Sequence, residues 1–130
     1  MKAFIMALSF VALQPCLANR IKVGLVLDKG GRDDKSFNAA AYKGATEAEK
    51  KLGIHLKTVE SSNDTAIEPS LRTFAQHGYD LVIGIGFVQQ SPLEKVAKQF
   101  PKTHFLLIDS PLEAPNVRSD AKRALVSCRR

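Results

Sequence analysis

The chain has 130 residues, of which 45% are hydrophobic and 25% charged, with a formal net charge of +6 and two cysteines. This is enough chain for one domain, and the composition excludes collagen-like, disulfide-rich and disordered proteins. Residues 118–130 hold five bases against one acid, and Lys2 adds another base. Because residues 3–117 are therefore nearly neutral, the charge does not indicate a nucleic-acid partner.

Residues 1–18 have the pattern of a secretory signal peptide. A lysine is followed by an apolar run over Ala3–Leu13 and by a small residue at Ala18, the order that is typical of exported proteins. The run is too short to cross a bilayer, which takes about 20 residues. Cys16 leaves a lipid anchor open, although Pro15 fits such a site poorly, and an uncleaved buried helix is the third alternative. We expect an exported protein, periplasmic or attached to the cell membrane.

The following residues alternate between predicted strands and predicted helices. Four apolar runs rich in β-branched residues are typical of buried parallel strands, and they lie at 21–27, 54–60, 79–86 and 103–108. Four strands separated by three helices predict an α/β fold, an open parallel sheet with helices on both faces.

The three helices are predicted from different signals. An apolar stripe from Phe37 to Leu52, closed by Gly53, predicts the first helix and close packing on the sheet. The second and third helices are predicted to begin at capping boxes, Thr65–Glu68 and Ser91–Glu94. Residues 119–130 lack strand pattern and caps, so we interpret 19–118 as the folded domain and 119–130 as a divergent basic tail.

Ligands of open parallel sheets bind beyond the carboxyl ends of the strands, and the sequence places a polar set at that edge. A carboxylate accepts two hydrogen bonds from a vicinal diol, and a phenylalanine ring stacks on a flat heterocycle. The acidic pair Asp33–Asp34 disfavours phosphate, which argues against a flavodoxin-like enzyme. The residues that the sequence brings to this edge are Asp28, Gly30, Gly31, Asp33, Asp34, Ser36, Phe37, Asn38, Gly84, Gly86, Phe87, Asp109 and Ser110.

Each of these residues also has a structural interpretation. Phe37 is open to a core position, and the residues just before it are open to helix capping. Asp28 and Asp109 are open to a turn-forming role, and the glycines to close contact with a helix. Neither a metal-ligand spacing nor a catalytic triad is visible, so no metal, no cofactor and no enzymatic activity are expected.

The segment Asp33-Asp34-Lys35-Ser36-Phe37-Asn38, with Gly44 in the following helix, resembles the BMP (basic membrane protein) family of periplasmic substrate-binding proteins. These proteins are similar to purine nucleoside receptors of ABC transporters. The resemblance continues through 80–87, 105–109 and 114–117 and covers roughly residues 20–118.

The resemblance implies two α/β lobes joined by a hinge, with the ligand in the cleft. It implies that Phe37 stacks on the base, that Asp109 lies near the ribose, and that Asp28 and Asn38 complete the site. It also implies a non-enzymatic protein that delivers a nucleoside-like ligand to an ABC permease in the membrane. With the sheet-edge residues included, the candidate ligand-binding residues are Asp28, Asp34, Phe37, Asn38, Gly86 and Asp109.

Members of the family are much longer than this chain, which shows only the pattern of an N-terminal lobe. The second hypothesis is therefore a truncated, frameshifted remnant that binds nothing. An enzyme of flavodoxin-like architecture is the third.

Overall fold

The structure, a computed structural model, describes residues 20–33 and 37–120. Within them the chain forms three α-helices and five strands, with short 3₁₀ turns at Asp64–Ala66 and Phe87–Gln89. The elements in chain order are β1 (Lys22–Leu27), α1 (Phe37–Leu52), β2 (His55–Glu60), α2 (Ile67–Gln76), β3 (Leu81–Ile85), α3 (Gln90–Gln99), β4 (His104–Ile108) and β5 (Val117–Asp120).

The strands form one sheet in the order β2-β1-β3-β4-β5. All four strand pairings are parallel. The predicted α/β fold with an open parallel sheet is thus confirmed. The order places β3 between β1 and β4, so the carboxyl ends of these three strands are neighbours.

Helices cover both faces of the sheet. Successive side chains of a strand point to opposite faces, so the same strand contributes to a core cluster on each face. Val26 and Phe105 pack with α2 and α3 in one core cluster. Leu25, Leu27 and Ile85 form a second cluster, against which Ala41 and other residues of α1 pack. Burial on both faces accounts for the nearly continuous apolar run of β1.

The predicted bounds of α1 agree with the structure, but the predicted apolar stripe is partly wrong. Phe37 is 46% exposed and Leu52 is 74% exposed, whereas Asn38 is the buried residue of the helix. Ala41 and Ala45 do contact the sheet. Asn38 is buried where it donates to Asp28, whereas Phe37 and Leu52 are the first and last residues of α1 and lie at the two ends of the helix.

Both predicted capping boxes are wrong, because a 3₁₀ turn precedes each helix and moves its start. The Oδ1 atom of Asn63 accepts from a backbone N–H at 2.9 Å and caps the turn before α2. Thr65 instead donates to Asn63 at 2.7 Å. α3 begins one residue before Ser91, and Glu94 pairs with Lys98.

The fifth strand, β5, is not predicted from the sequence. It is an edge strand in which Arg118 and Asp120 are exposed, so it lacks the apolar run of a buried strand. Asn116 anchors its start, since its Nδ2 atom lies 3.0 Å from three carbonyl oxygens at the end of α3 and in the following turn. The interpreted tail 119–130 overlaps β5 in its first two residues.

The remaining residues of that interpreted tail and the predicted signal segment 1–18 lie outside the described residues. Across 20–33 and 37–120, no helix is long and apolar enough to cross a membrane.

Candidate functional site

The carboxyl edge of the sheet brings together three of the six candidate residues. Asp28, Gly86 and Asp109 each follow directly on the last residue of a strand, and these strands, β1, β3 and β4, are neighbours. Phe37 and Asn38 begin α1, which follows β1 and therefore starts from the same edge. The remaining candidate, Asp34, lies outside the described residues.

Asp28 is held in a fixed orientation by its own turn and by α1. Its Oδ1 atom accepts hydrogen bonds from the Gly30 N–H at 2.9 Å and from Asn38 Nδ2 at 2.5 Å. Its backbone oxygen accepts from the Gly31 N–H at 3.0 Å. Both of these side-chain bonds engage the same carboxylate oxygen, Oδ1.

Asn38 lies behind Asp28 rather than at the surface of the edge. It is only 1% exposed, and its Oδ1 atom is buried without a hydrogen-bond partner among the described residues. This geometry orients the carboxylate of Asp28, because an amide hydrogen bond to one oxygen sets the plane of the group.

Two aromatic rings are exposed at this edge. Phe37 is 46% exposed and Phe87 is 77% exposed, whereas the other large exposed hydrophobic residues of the described chain, Ile21 and Leu52, lie at the opposite end of the sheet. The alternative that Phe37 belongs to the core is therefore wrong. Phe87 reaches this edge as the sequence indicates, although it is not among the candidate residues.

The backbone of Gly86 and Asp109 takes unusual conformations at the same edge. Gly86 has φ 84° and ψ 163°, a region that is open essentially to glycine alone. Asp109 has φ 65° and is the only residue other than glycine with a positive φ in the described part of the chain. Aspartate tolerates this region better than most residues, and such strain is concentrated at ligand sites.

A salt bridge ties the loop after β1 to the end of β2. Arg32 Nε lies 2.6 Å from Glu60 Oε1, and the guanidinium lies 5.1 Å from the centre of the Tyr42 ring. The hydrogen bond to Glu60, with Tyr42 adding a smaller effect, raises the pKa of Arg32. Arg32 is therefore paired with Glu60. The carboxylates at the carboxyl edge of the sheet include those of Asp28 and Asp109.

The arrangement favours a neutral ligand that carries hydroxyl donors and a flat ring. Carboxylates are acceptors for hydroxyl groups and repel phosphate. In residues 20–33 and 37–120 no group of three or more His, Cys, Asp or Glu side chains is placed to hold a metal ion.

A separate groove lies between α2 and the outer strand β2. It has a volume of about 330 Å³ and is lined by residues that include Lys57, Val59, Phe74, His77 and Tyr79. It contains none of the candidate residues, and its floor is apolar.

Gln89 is a residue of this edge that the sequence does not predict. It is fully buried, and its Nε2 atom donates to the backbone oxygen of Val26 at 3.0 Å. Buried glutamines have no sequence period of their own. The signal that could have found Gln89 is the pair Gly84 and Gly86 just before it, because glycines at a strand end indicate close approach of another group.

Comparisons with known proteins identify a family. Residues 21–122 match the family model Bmp, described as ABC transporter substrate-binding protein PnrA-like. All six candidate residues lie within that range.

Two relatives and one solved structure illustrate the match. An uncharacterized lipoprotein of Pyrococcus abyssi is 42% identical over 94 residues, which are 72% of this chain and 23% of the relative. The ABC transporter nucleoside-binding protein BmpA of Lactococcus lactis is 31% identical over 97 residues, 72% of this chain and 28% of the relative. The crystal structure of an ABC transporter solute-binding protein from Aeropyrum pernix superposes with a TM-score of 0.71 at 37% identity, covering 76% of this chain and 28% of that one. The chain thus spans about a quarter of the length of the curated relatives it matches.

Proposed function

The chain belongs to the PnrA-like family of ABC transporter substrate-binding proteins, and we propose that it binds a purine nucleoside at the carboxyl edge of its sheet. The observation that carries the proposal is an exposed Phe37 ring at the start of α1, directly before Asn38, the residue that holds the Asp28 carboxylate. A relative named as a nucleoside-binding protein supports the same ligand class.

The proposed site recognises the base and the sugar by different groups. The base stacks on Phe37, since an aromatic ring offers a flat apolar face. The ribose hydroxyls donate to the carboxylates of Asp28 and Asp109. Gly86 has no side chain and leaves room for the ligand beside the backbone, and Asp34 completes the set.

The proposed role is the capture of a solute for import, without catalysis. The ligand passes to an ABC permease in the membrane. The protein is exported and stays periplasmic or attached to the cell membrane. The signal-peptide pattern of residues 1–18 and the lipoprotein name of the Pyrococcus relative support this placement.

Calorimetric titration of the full chain tests the proposal. Adenosine, inosine and guanosine are compared with adenosine 5′-monophosphate as the control, because the monophosphate keeps the base of adenosine and the 2′- and 3′-hydroxyls and carries a negatively charged phosphate in place of the 5′-hydroxyl. We expect the nucleosides to bind and the monophosphate to bind more weakly, since the carboxylates repel it. Absence of binding by any nucleoside, or tighter binding of the monophosphate, would contradict the proposal.

A further inference from the structure

Phe87 is the most exposed large hydrophobic residue of the described chain, at 77%. A single exposed apolar residue needs no explanation by itself. Phe87, however, stands on a turn that is held from below by buried structure, and that construction points to a specific contact.

The turn is fixed by Gln89, two residues further on. Gln89 is fully buried and donates from Nε2 to the Val26 oxygen at 3.0 Å. Its backbone N–H also donates to the Gly86 oxygen at 3.2 Å. A Cβ atom on Gly84 would lie 2.8 Å from Gln89 Oε1 and 2.9 Å from Leu93. A side chain at position 84 would therefore force the Gln89 or Leu93 side chain to shift from its observed place.

The same turn is tied to both neighbouring strands near their acidic ends. Val26 in β1, which accepts from Gln89, lies two residues before Asp28. The Gly86 N–H donates to the Ile108 oxygen at 2.9 Å, one residue before Asp109 after β4. Because β3 lies between β1 and β4, Phe87 leaves the sheet between the strands that carry the two carboxylates.

We propose that Phe87 is a second ligand-contacting aromatic residue of the site, and that Gln89 is the residue that positions it. Phe87 provides an apolar wall against the ring of the bound nucleoside, beside the carboxylates that take its hydroxyls. This inference rests on the proposed nucleoside function and adds a recognition element to it.

Titration of the full chain with adenosine tests the role of Phe87. We expect Phe87→Ala to weaken binding about 5-fold or more and to leave the melting temperature nearly unchanged, because the side chain is exposed. Phe87→Tyr should bind adenosine about as tightly as the unaltered chain, since it keeps the aromatic face. Leu52→Ala is the control and should not change the affinity, because Leu52 is also exposed and apolar but lies at the opposite end of the sheet.

The outcomes separate the two proposals. If Phe87→Ala binds like the unaltered chain while Phe37→Ala is weakened, the inference on Phe87 is overturned and the nucleoside function stands. If the unaltered chain binds no nucleoside, both are overturned.

A double-mutant cycle tests the role of Gln89. Gln89→Met keeps the length of the side chain and removes its hydrogen bond to β1. If Gln89 acts through Phe87, Gln89→Met weakens adenosine binding in the unaltered chain and causes no further loss in the Phe87→Ala background. Losses that simply add would show that Gln89 acts on the fold alone and would overturn its positioning role.

Discussion

At the scale of single residues, Phe37 is the clearest candidate for contact with the ligand, because its apolar side chain is 46% exposed at the first position of α1. We expect Phe37→Ala to weaken adenosine binding by about 1–3 kcal/mol, the usual loss on removal of a base-stacking ring. Leu52→Ala, at the other end of the same helix and 74% exposed, should leave affinity unchanged. Calorimetric titration measures both. Equal affinities of the Phe37 and Leu52 variants would remove Phe37 from the site.

Replacement of glycine by alanine should change the free energy of unfolding in opposite directions at two positions. Gly86→Ala should lower the free energy of unfolding by about 1–3 kcal/mol, because alanine is strained at φ 84° and ψ 163°. Gly44 lies inside α1, and a Cβ atom at this position would meet no neighbouring side chain within 4 Å. Gly44→Ala should therefore raise that free energy by about 0.4–1 kcal/mol.

Urea unfolding of the two glycine variants measures both changes. A Gly86→Ala variant as stable as the unaltered chain would show that the backbone conformation at position 86 is not restricted to glycine.

At the scale of elements, Glu68 joins α2 to α3. Its carboxylate lies 2.8 Å from Arg72 on its own helix and 3.0 Å from Lys95 on α3. These hydrogen bonds, that of Arg72 first, hold the pKa of Glu68 below its ordinary value of 4.5. A carboxyl whose pKa is lower in the folded state stabilises the fold above its unfolded pKa, and this stabilisation is lost as the pH falls.

The stability of Glu68→Gln should therefore depend less steeply on pH than that of the unaltered chain below about pH 5. Urea unfolding over a series of pH values measures the slope. Glu113→Gln is the control, since Glu113 is exposed and makes no ion pair in the described ranges. Identical slopes for Glu68→Gln and the unaltered chain would contradict this account of the α2–α3 contact.

The elements also show what the sequence can predict. The buried strands could be located because burial on both faces leaves long apolar runs, as in β1 and β3. The edge strand β5 could not, because two of its four residues are exposed. The starts of α2 and α3 were missed because a 3₁₀ turn precedes each helix, capped by Asn63 before α2 and following Gly86 before α3.

For the candidate site, the sequence could predict which strand ends carry the polar residues, since parallel strands end at one edge. It could not predict that Asn38 is buried behind Asp28, because that depends on the rotation of α1. Nor could it predict Gln89, whose bond to Val26 joins residues 63 positions apart.

At the scale of the whole molecule, the described residues provide one wall of the proposed binding site. Small-ligand sites usually enclose about 70–90% of the ligand surface, whereas the two aromatic rings at the carboxyl edge, Phe37 and Phe87, are 46% and 77% exposed. We therefore expect this chain to bind nucleosides weakly and with fast exchange. The ligand should nevertheless choose this edge over the apolar groove between α2 and β2, because only the edge presents carboxylates beside an exposed aromatic ring.

Amide chemical-shift mapping by NMR tests this placement most directly, because it detects weak binding and locates it. The full chain, labelled with ¹⁵N, is titrated with adenosine. We predict shifts at Asn38, Gly86 and Asp109, and none at Asp80 and Lys102 at the opposite end of the sheet. Shifts confined to the α2–β2 groove, or no shifts at any adenosine concentration, would contradict a nucleoside site at the carboxyl edge.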